Sequence, residues 1–524
     1  MRRWAWRIVL FSGEVAASPL SFDLADERVS VEVTSTTNAG WHGDNGDSNS
    51  ENDNYGELFE KLNASASVGP WQLGFRLDTA TFVKPPTDLV RDRYSLEKVW
   101  AGWSDRSLEV MLGDSYVSFG RGLALSIRKI DEFGVDTTLR GAKLLLHRGA
   151  LDGTLVVGAS NIQNIDEATG RSTHDPNDLI VGAQAQVTNG PLTTGLHFAA
   201  VAFKEGMSGV EASEFNDRYY HVGTSLDVPQ LGRHLGFYFE SLVQVRDAEL
   251  QEADNLGTAA YASGVVYAGP AAVLLEGKAY GDIAVMKPNI GRPEFASIAY
   301  SNPPTAERVL QVLENPQSEI YGGRIRIDWA LSRDFVFYTN YGAFRDALGY
   351  ADPSAIGMRR RGTIHDPYVG LELRWNSSRS HAFLSGGWRG VRLAGSNETV
   401  RAEGHVEIDL AQAVGADASV ECHGLHSERR KNESPILDEA FREGSWSLGL
   451  QFHNWTLAGG YDYTTERVHP KRNYFNANLV WKVSASSTIR LLAGAARGGL
   501  KCVSGVCRTF PPFEGAKLSI ALRF

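Results

Sequence analysis

From Arg401 to Leu410 the chain alternates without interruption: Arg401, Glu403, His405, Glu407 and Asp409 take one parity, and Ala402, Gly404, Val406, Ile408 and Leu410 the other. A β-strand turns successive side chains to opposite faces, so this stretch predicts a strand with one ionised face and one apolar face. The same split separates Arg324, Arg326 and Asp328 from Ile325, Ile327 and Trp329, and Glu372, Arg374 and Asn376 from Leu371, Leu373 and Trp375. Residues 235–245, 271–279, 446–452 and 475–481 repeat it less perfectly, the second with Glu276 and Lys278 on its polar side. A wall between lipid and a wet lumen needs this division strand after strand. Trp329 and Trp375 fall at strand ends, where an amphipathic ring suits the headgroup boundary.

The links between such stretches alternate in length. Tight ones at 68–71, 104–107, 147–150, 188–191, 268–270, 331–334, 376–380, 453–454 and 484–487 are separated by long polar segments at 39–54, 161–178, 205–216, 282–317, 347–365, 427–443 and 498–513. Outer-membrane barrels connect their strands in this way, with tight periplasmic turns and longer outside loops. The predicted strand number is about 24, within 22 to 26, an even number being what closes such a barrel. Residues 119–136 read as two strand pieces, a long loop or a segment folded into the lumen. Within the longest insertion, 282–317, a short helix is predicted over 303–314 with Thr305 as its cap, on a loop that either folds inward or stays outside as a lid or partner surface. The final stretch puts Ala516, Leu518, Ile520, Leu522 and Phe524 on one face. An ending on Phe after such alternation resembles outer-membrane barrels as a class, whose last strand is read by the barrel assembly machinery. The expectation is an all-β fold, a transmembrane antiparallel up-and-down barrel over 26–524, with an extracellular sandwich as the poorer fit.

Composition agrees with strands and turns: of 524 residues 54 are Gly, with 12 Trp, 18 Tyr and 23 Phe. Mean hydropathy is −0.24, and no apolar run reaches the roughly 18 residues of a membrane helix. Barrel strands escape that test, because only every second residue must be apolar. A net charge of −10 argues against nucleic acid, whose phosphates select clustered Lys and Arg. Residues 1–25 have a basic start, a short apolar stretch and small residues at Val15–Ala17, interrupted by Arg7 and Glu14; they read as an export signal or a disordered leader. Cys502 and Cys507 are spaced for a small disulfide loop, with free or metal-binding thiols as the alternative, and Cys422 is left alone on an outward face.

Three stretches, Gly113-Asp-Ser-Tyr-Val-Ser-Phe-Gly-Arg-Gly-Leu-Ala-Leu125, Asp136-Thr-Thr-Leu-Arg-Gly-Ala142 and Ser301-Asn-Pro-Pro-Thr-Ala-Glu-Arg308, resemble landmarks of a family of large bacterial outer-membrane barrels of unknown function. The resemblance spans 30–390. It implies porin-like architecture and a Gram-negative outer-membrane location, and lends no catalytic residue.

The candidate chemistry is sparse. Gly120-Arg-Gly122 lacks the spacing of a nucleotide loop. Arg121, Arg128, Lys129 and Arg140 either line a pore and favour anions or pair with Asp131, Glu132 and Asp136. Asp44, Asp47 and Asp53 lie in an oxygen-rich loop that reads as a calcium site or, more simply, as a solvated surface loop. His405 and His423 fall on neighbouring strands, and two ligands do not make a metal site. Haem-attachment, zinc-protease and serine-elbow motifs are all missing, so no enzyme and no other cofactor is expected. A Ser and a His meeting across strands would leave no trace, which keeps a membrane-embedded hydrolase as a minor alternative.

Two functions fit. In one, the polar parities named above line an open bore that passes small polar solutes. In the other, the charges pair across strands, 119–136 or 282–317 plugs the bore, and the loops hold a surface or periplasmic protein partner. Lipid and the assembly machinery are partners in both.

Overall fold

A computed structural model describes residues 20–24, 27–46, 53–85, 91–130, 134–166, 173, 176–204, 218–247, 256–281, 283, 286–287, 298–306, 320–348, 360–393, 399–432, 438–467, 469, 471–503 and 506–524. Its main sheet has 26 antiparallel strands. Two are short pieces, Leu20–Leu24 and Lys129–Ile130. The other 24, each paired to its neighbours in the wall, close into a barrel.

Closure joins the first wall strand, Glu27–His42, to the last, Phe513–Arg523, from Thr34 opposite Arg523 to His42 opposite Gly515. Phe524 extends the seal: it donates its backbone N–H to Val33 at 2.8 Å and accepts one back at 3.2 Å. Below it, Leu20–Leu24 pairs with Glu27–Val31 and continues the line of the last strand. An edge left open in lipid would strand its N–H and C=O groups at several kcal/mol each, which is why the ends of the chain must meet.

The alternation resolves into two faces. On Trp71–Val83 the exposed Leu73, Phe75 and Leu77 point outward while Arg76 and Asp78 are buried inside. On Leu235–Asp247, Phe237, Val243 and Val245 point outward, and Tyr238, Glu240, Leu242 and Gln244 inward. Cys422 sits in register with outward Leu410 and Leu448. Aromatic rings mark both rims: Trp71, Trp329 and the stacked Trp455 and Trp481 at the tight-turn end, and Tyr94, Tyr321 and Phe475 at the other.

The tight turns fall where expected, and two more occur at 232–234 and 415–417, where Gly232 and Gly415 take the left-handed conformation (φ 64° and 74°) that glycine adopts without strain. The helix expected over 303–314 lies mostly outside the described residues; residues 303–306 are irregular, and no helix occurs among the described residues. Residues 1–19, which include most of the expected leader, are also outside them.

Two outcomes test this architecture. The folded protein should migrate differently in SDS before and after boiling, and identical migration would contradict a closed ladder. Backbone register sets Cys502 opposite Cys507 in the hairpin Gly499–Val503/Val506–Phe510, so thiol titration of unreduced protein should find one reactive cysteine, Cys422, and three only after reduction; three without reductant would rule the disulfide out.

Candidate luminal site

The wall strand Leu108–Ser115 is the shortest of the barrel, and where it stops the chain turns into the bore. Val117–Phe119 and Leu125–Ile127 pair as a small hairpin, Val117 opposite Ile127 and Phe119 opposite Leu125. Gly120 (φ 54°) and Gly122 (φ 96°) shape its tip; a Cβ on Gly120 would strike the Glu240 carboxylate at 2.7 Å. Phe119, Leu123, Leu125 and Ile127 are fully buried and form one cluster with inward residues of the wall, among them Leu139, Val156, Ile180, Val201 and Tyr219. Burial of each such side chain contributes about 1.5–3 kcal/mol, so apolar packing inside the bore holds the hairpin there.

Polar bonds set its register. The Arg121 backbone N–H donates to Glu240 at 2.9 Å and to the Tyr238 hydroxyl at 3.1 Å. The Arg121 guanidinium lies 4.0 Å over the Tyr238 ring and donates to Ser263 at 3.1 Å and Tyr261 at 3.3 Å. His221 Nδ1 meets the Ala124 carbonyl at 2.7 Å; a carbonyl only accepts, so this nitrogen carries the proton and Nε2 accepts from Gln244 at 2.6 Å.

A second inward stretch, 298–306, braces the first. Ser126 donates its N–H to the Tyr300 carbonyl and Asn302 donates to the Gly122 carbonyl, both at 2.7 Å. The Tyr300 hydroxyl donates to Asp178 at 2.7 Å. Burial, with the Asp178 carboxylate beside it, holds that hydroxyl well above its ordinary pKa, so it stays a donor. At the root of the hairpin, Asp136 takes bonds from Arg76 (2.6 Å), Lys98 (2.5 Å) and the Tyr116 hydroxyl (2.7 Å).

Ionic pairs line the lumen as well, the first of them on strands that also carry the apolar cluster. Glu276 pairs with Arg324, Arg326 with Asp328 at 2.7 Å, and Arg374 with Glu372 at 2.7 Å. Lys278 is buried over the Tyr280 and Phe344 rings. Arg429 bridges Glu403 (3.1 Å) and Glu443 (2.8 Å), and Glu443 also meets Arg497. Asp409 stands between His381 at 3.1 Å and His423 at 3.5 Å. His405 is buried opposite Gly387 and Ser427, Glu407 lies opposite Ser385 and Leu425, and Arg401 opposite Val391.

Of the four basic residues near the hairpin, Arg121 is bonded to Tyr261 and Ser263, whereas Arg140 pairs with Asp114 at 3.1 Å. Lys129 is exposed and lies in register with Asp136, and Arg128 is half-buried. Asp131 and Glu132, offered as partners from sequence, are outside the described residues, and Asp136 is bonded by Arg76 and Lys98. Asp44 accepts the Gly46 N–H and Asp53 the Asn45 N–H, as in a turn-forming surface loop; Asp47 is outside the described residues. Among the described residues no three His, Cys, Asp or Glu side chains converge as metal ligands. The Tyr238, Glu240 and His221 cradle was not singled out from sequence, since each sits as one inward residue among many of the same parity.

Residues 443–524 match the model of DUF6029, a family of unknown function; that stretch lies apart from the 30–390 region of the expected resemblance. No curated protein matches the chain. Among solved structures, the siderophore receptor PirA from Pseudomonas aeruginosa aligns with TM-score 0.49 at 8% identity, over 94% of this chain and 80% of that one. The outer membrane protein opdK from Pseudomonas aeruginosa aligns with TM-score 0.40 at 13% identity, over 70% and 95%. The P pilus usher PapC translocation pore aligns with TM-score 0.41 at 9% identity, over 94% and 99%.

Replacing Arg121 with Ala removes the ring stacking and two side-chain hydrogen bonds, an expected loss of about 1–3 kcal/mol in hairpin seating. Limited proteolysis in detergent should then cut within 117–130 faster than in the parent. Unchanged protection would mean that apolar packing alone seats the hairpin.

Proposed function

We propose that this chain is an outer-membrane β-barrel that conducts small polar solutes through a bore narrowed by the inward hairpin, and that it performs no catalysis. The observation carrying this reading is the asymmetry of the lumen. Apolar packing of the hairpin is gathered on the wall strands from Val135 to Leu393, while Glu403, His405, Glu407, Asp409, His423 and Glu443 line strands beyond them. Opposed charges along a wet passage orient water and favour polar solutes over apolar ones.

A second reading has its own support: two separate inward stretches hydrogen-bonded to each other inside the bore are what a plugged scaffold would need. Planar-bilayer recordings separate the two. The parent protein should give steady current steps, and a variant with 117–130 replaced by a short Gly-Ser linker should give larger ones. A silent parent with a conducting variant would favour the plugged barrel, and silence from both, with folding verified by heat-modifiable migration, would sink the channel.

A further inference from the structure

Where the hairpin leaves the wall, the barrel is joined differently from everywhere else. The strand Arg93–Ser104 pairs with Leu108–Ser115 only from Trp100 opposite Gly113 to Ser104 opposite Glu109. At the top of that ladder the backbones are pressed together, since a Cβ on Gly113 (φ 99°) would lie 2.1 Å from the Val99 carbonyl. Beyond it, no ladder among the described residues flanks 93–99 on that side, and side chains take its place. Asp114 accepts the Val99 N–H at 2.9 Å, the Glu97 carbonyl accepts from Arg140 at 2.8 Å and Asn161 at 3.0 Å, and the Glu97 carboxylate accepts from Asn164.

The parities reveal an overlap. Leu139 packs into the luminal cluster, so Thr138 and Arg140 belong to the outer face of Val135–Arg148. Asp114 and Asn161 share that face by register, yet Asp114, Thr138 and Asn161 are buried. Asp136, of the same parity, is bonded by Arg76, which is inward on its own strand, and by Lys98, which is in register with Arg76. The inner face of one wall segment therefore lies on the outer face of the next, as boards overlap in a lapped joint. Leu96, Val99 and Leu112 are exposed on the outside beside it, so the joint opens within the apolar band.

We propose that this lapped seam is a lateral gate, through which an amphiphile with a charged head and an apolar tail passes between the bore and the membrane. The inference rests on the outer-membrane barrel reading and adds a second route to the axial one. A continuous backbone ladder cannot part in lipid without stranding peptide groups at several kcal/mol each. The seam is held instead by ionised and amide side chains, which can exchange one another for water or for a ligand's head. Behind it stands the hairpin with its apolar cluster, and the network carries both signs in Lys98, Arg140, Asp114 and Asp136.

Spin labels at Leu96→Cys and Leu112→Cys, in a chain with the three native cysteines changed to Ser, report the seam width by pulsed dipolar spectroscopy in lipid nanodiscs. Leu155→Cys with Leu179→Cys spans an intact ladder as control. Laurate or dodecyltrimethylammonium should bring up a second population, longer by roughly one or two strand spacings, about 5–10 Å, while acetate does not and the control pair stays fixed. One unchanged distance with every amphiphile, or movement of the control pair as well, overturns the gate. Axial conductance is read separately in bilayers, so a silent channel with a moving seam, or the reverse, shows which proposal failed.

Discussion

In hydrocarbon a peptide N–H or C=O has only other protein groups to bond, and each one left unmet costs several kcal/mol. That requirement organises this molecule more than any side chain does. It makes the wall continuous, brings Phe524 back to Val33, and places Leu20–Leu24 along the remaining edge of Glu27–Val31. Where the backbone is committed to the ladder, parity sorts the side chains, apolar to lipid and the rest to the bore; beside residues 93–99, side chains meet the backbone groups instead.

The inner parity is not uniform. On one side of the bore a hairpin of Val117, Phe119, Leu125 and Ile127 converts a wet surface into a packed core, with Tyr238, Tyr261 and Ser263 reserved to hold Arg121. On the other side, the charges are left to pair with one another, as Glu403, Arg429, Glu443 and Arg497 do in sequence around the wall. Pairing of this kind leaves a strong local field with little net charge.

Much of the wall was legible in the sequence because its determinant is local: a period of two over ten residues, as in 401–410, needs no knowledge of neighbours. Turns with a Gly-Pro or Asn-Gly signal were legible for the same reason, whereas 232–234 and 415–417 carry Gly beside Arg, His, Ala and Asp and read as ordinary polar strand ends. The luminal site was only half legible. That 119–136 is irregular could be seen, but its partners could not, since Arg121 meets Glu240 and Tyr261 from far along the chain. Charges nearby in sequence suggested Asp131, Glu132 and Asp136 as partners of the basic residues at 121, 128, 129 and 140; Asp136 is bonded by Arg76 and Lys98, which reach it from wall strands distant in sequence. Contacts across a barrel follow its circumference, which has no period in the sequence. The His381 and Asp409 contact shows the same limit, because His381 stands at a strand start where alternation is too short to read.

Hairpin and seam share one origin. A chain that leaves the middle of a closed wall to fill the bore takes with it the residues that would have completed its strand, and Leu108–Ser115 is short because 117–127 lie inside. The wall then has two ways to restore its bonding: pair the flanking strands directly, which would narrow the barrel by a strand along only part of its height, or overlap them and bridge with side chains. The second leaves the lower ladder at full circumference, and the buried positions of Asp114, Thr138 and Asn161 mark it as the solution adopted here. Lys98 and Asp136 belong to both features, since their contact spans the lap while Asp136 also bonds Tyr116 at the hairpin's root. A displacement of the hairpin therefore loads the seam, and parting of the seam frees the hairpin's anchor, so that what narrows the bore and what closes the wall are mechanically one element.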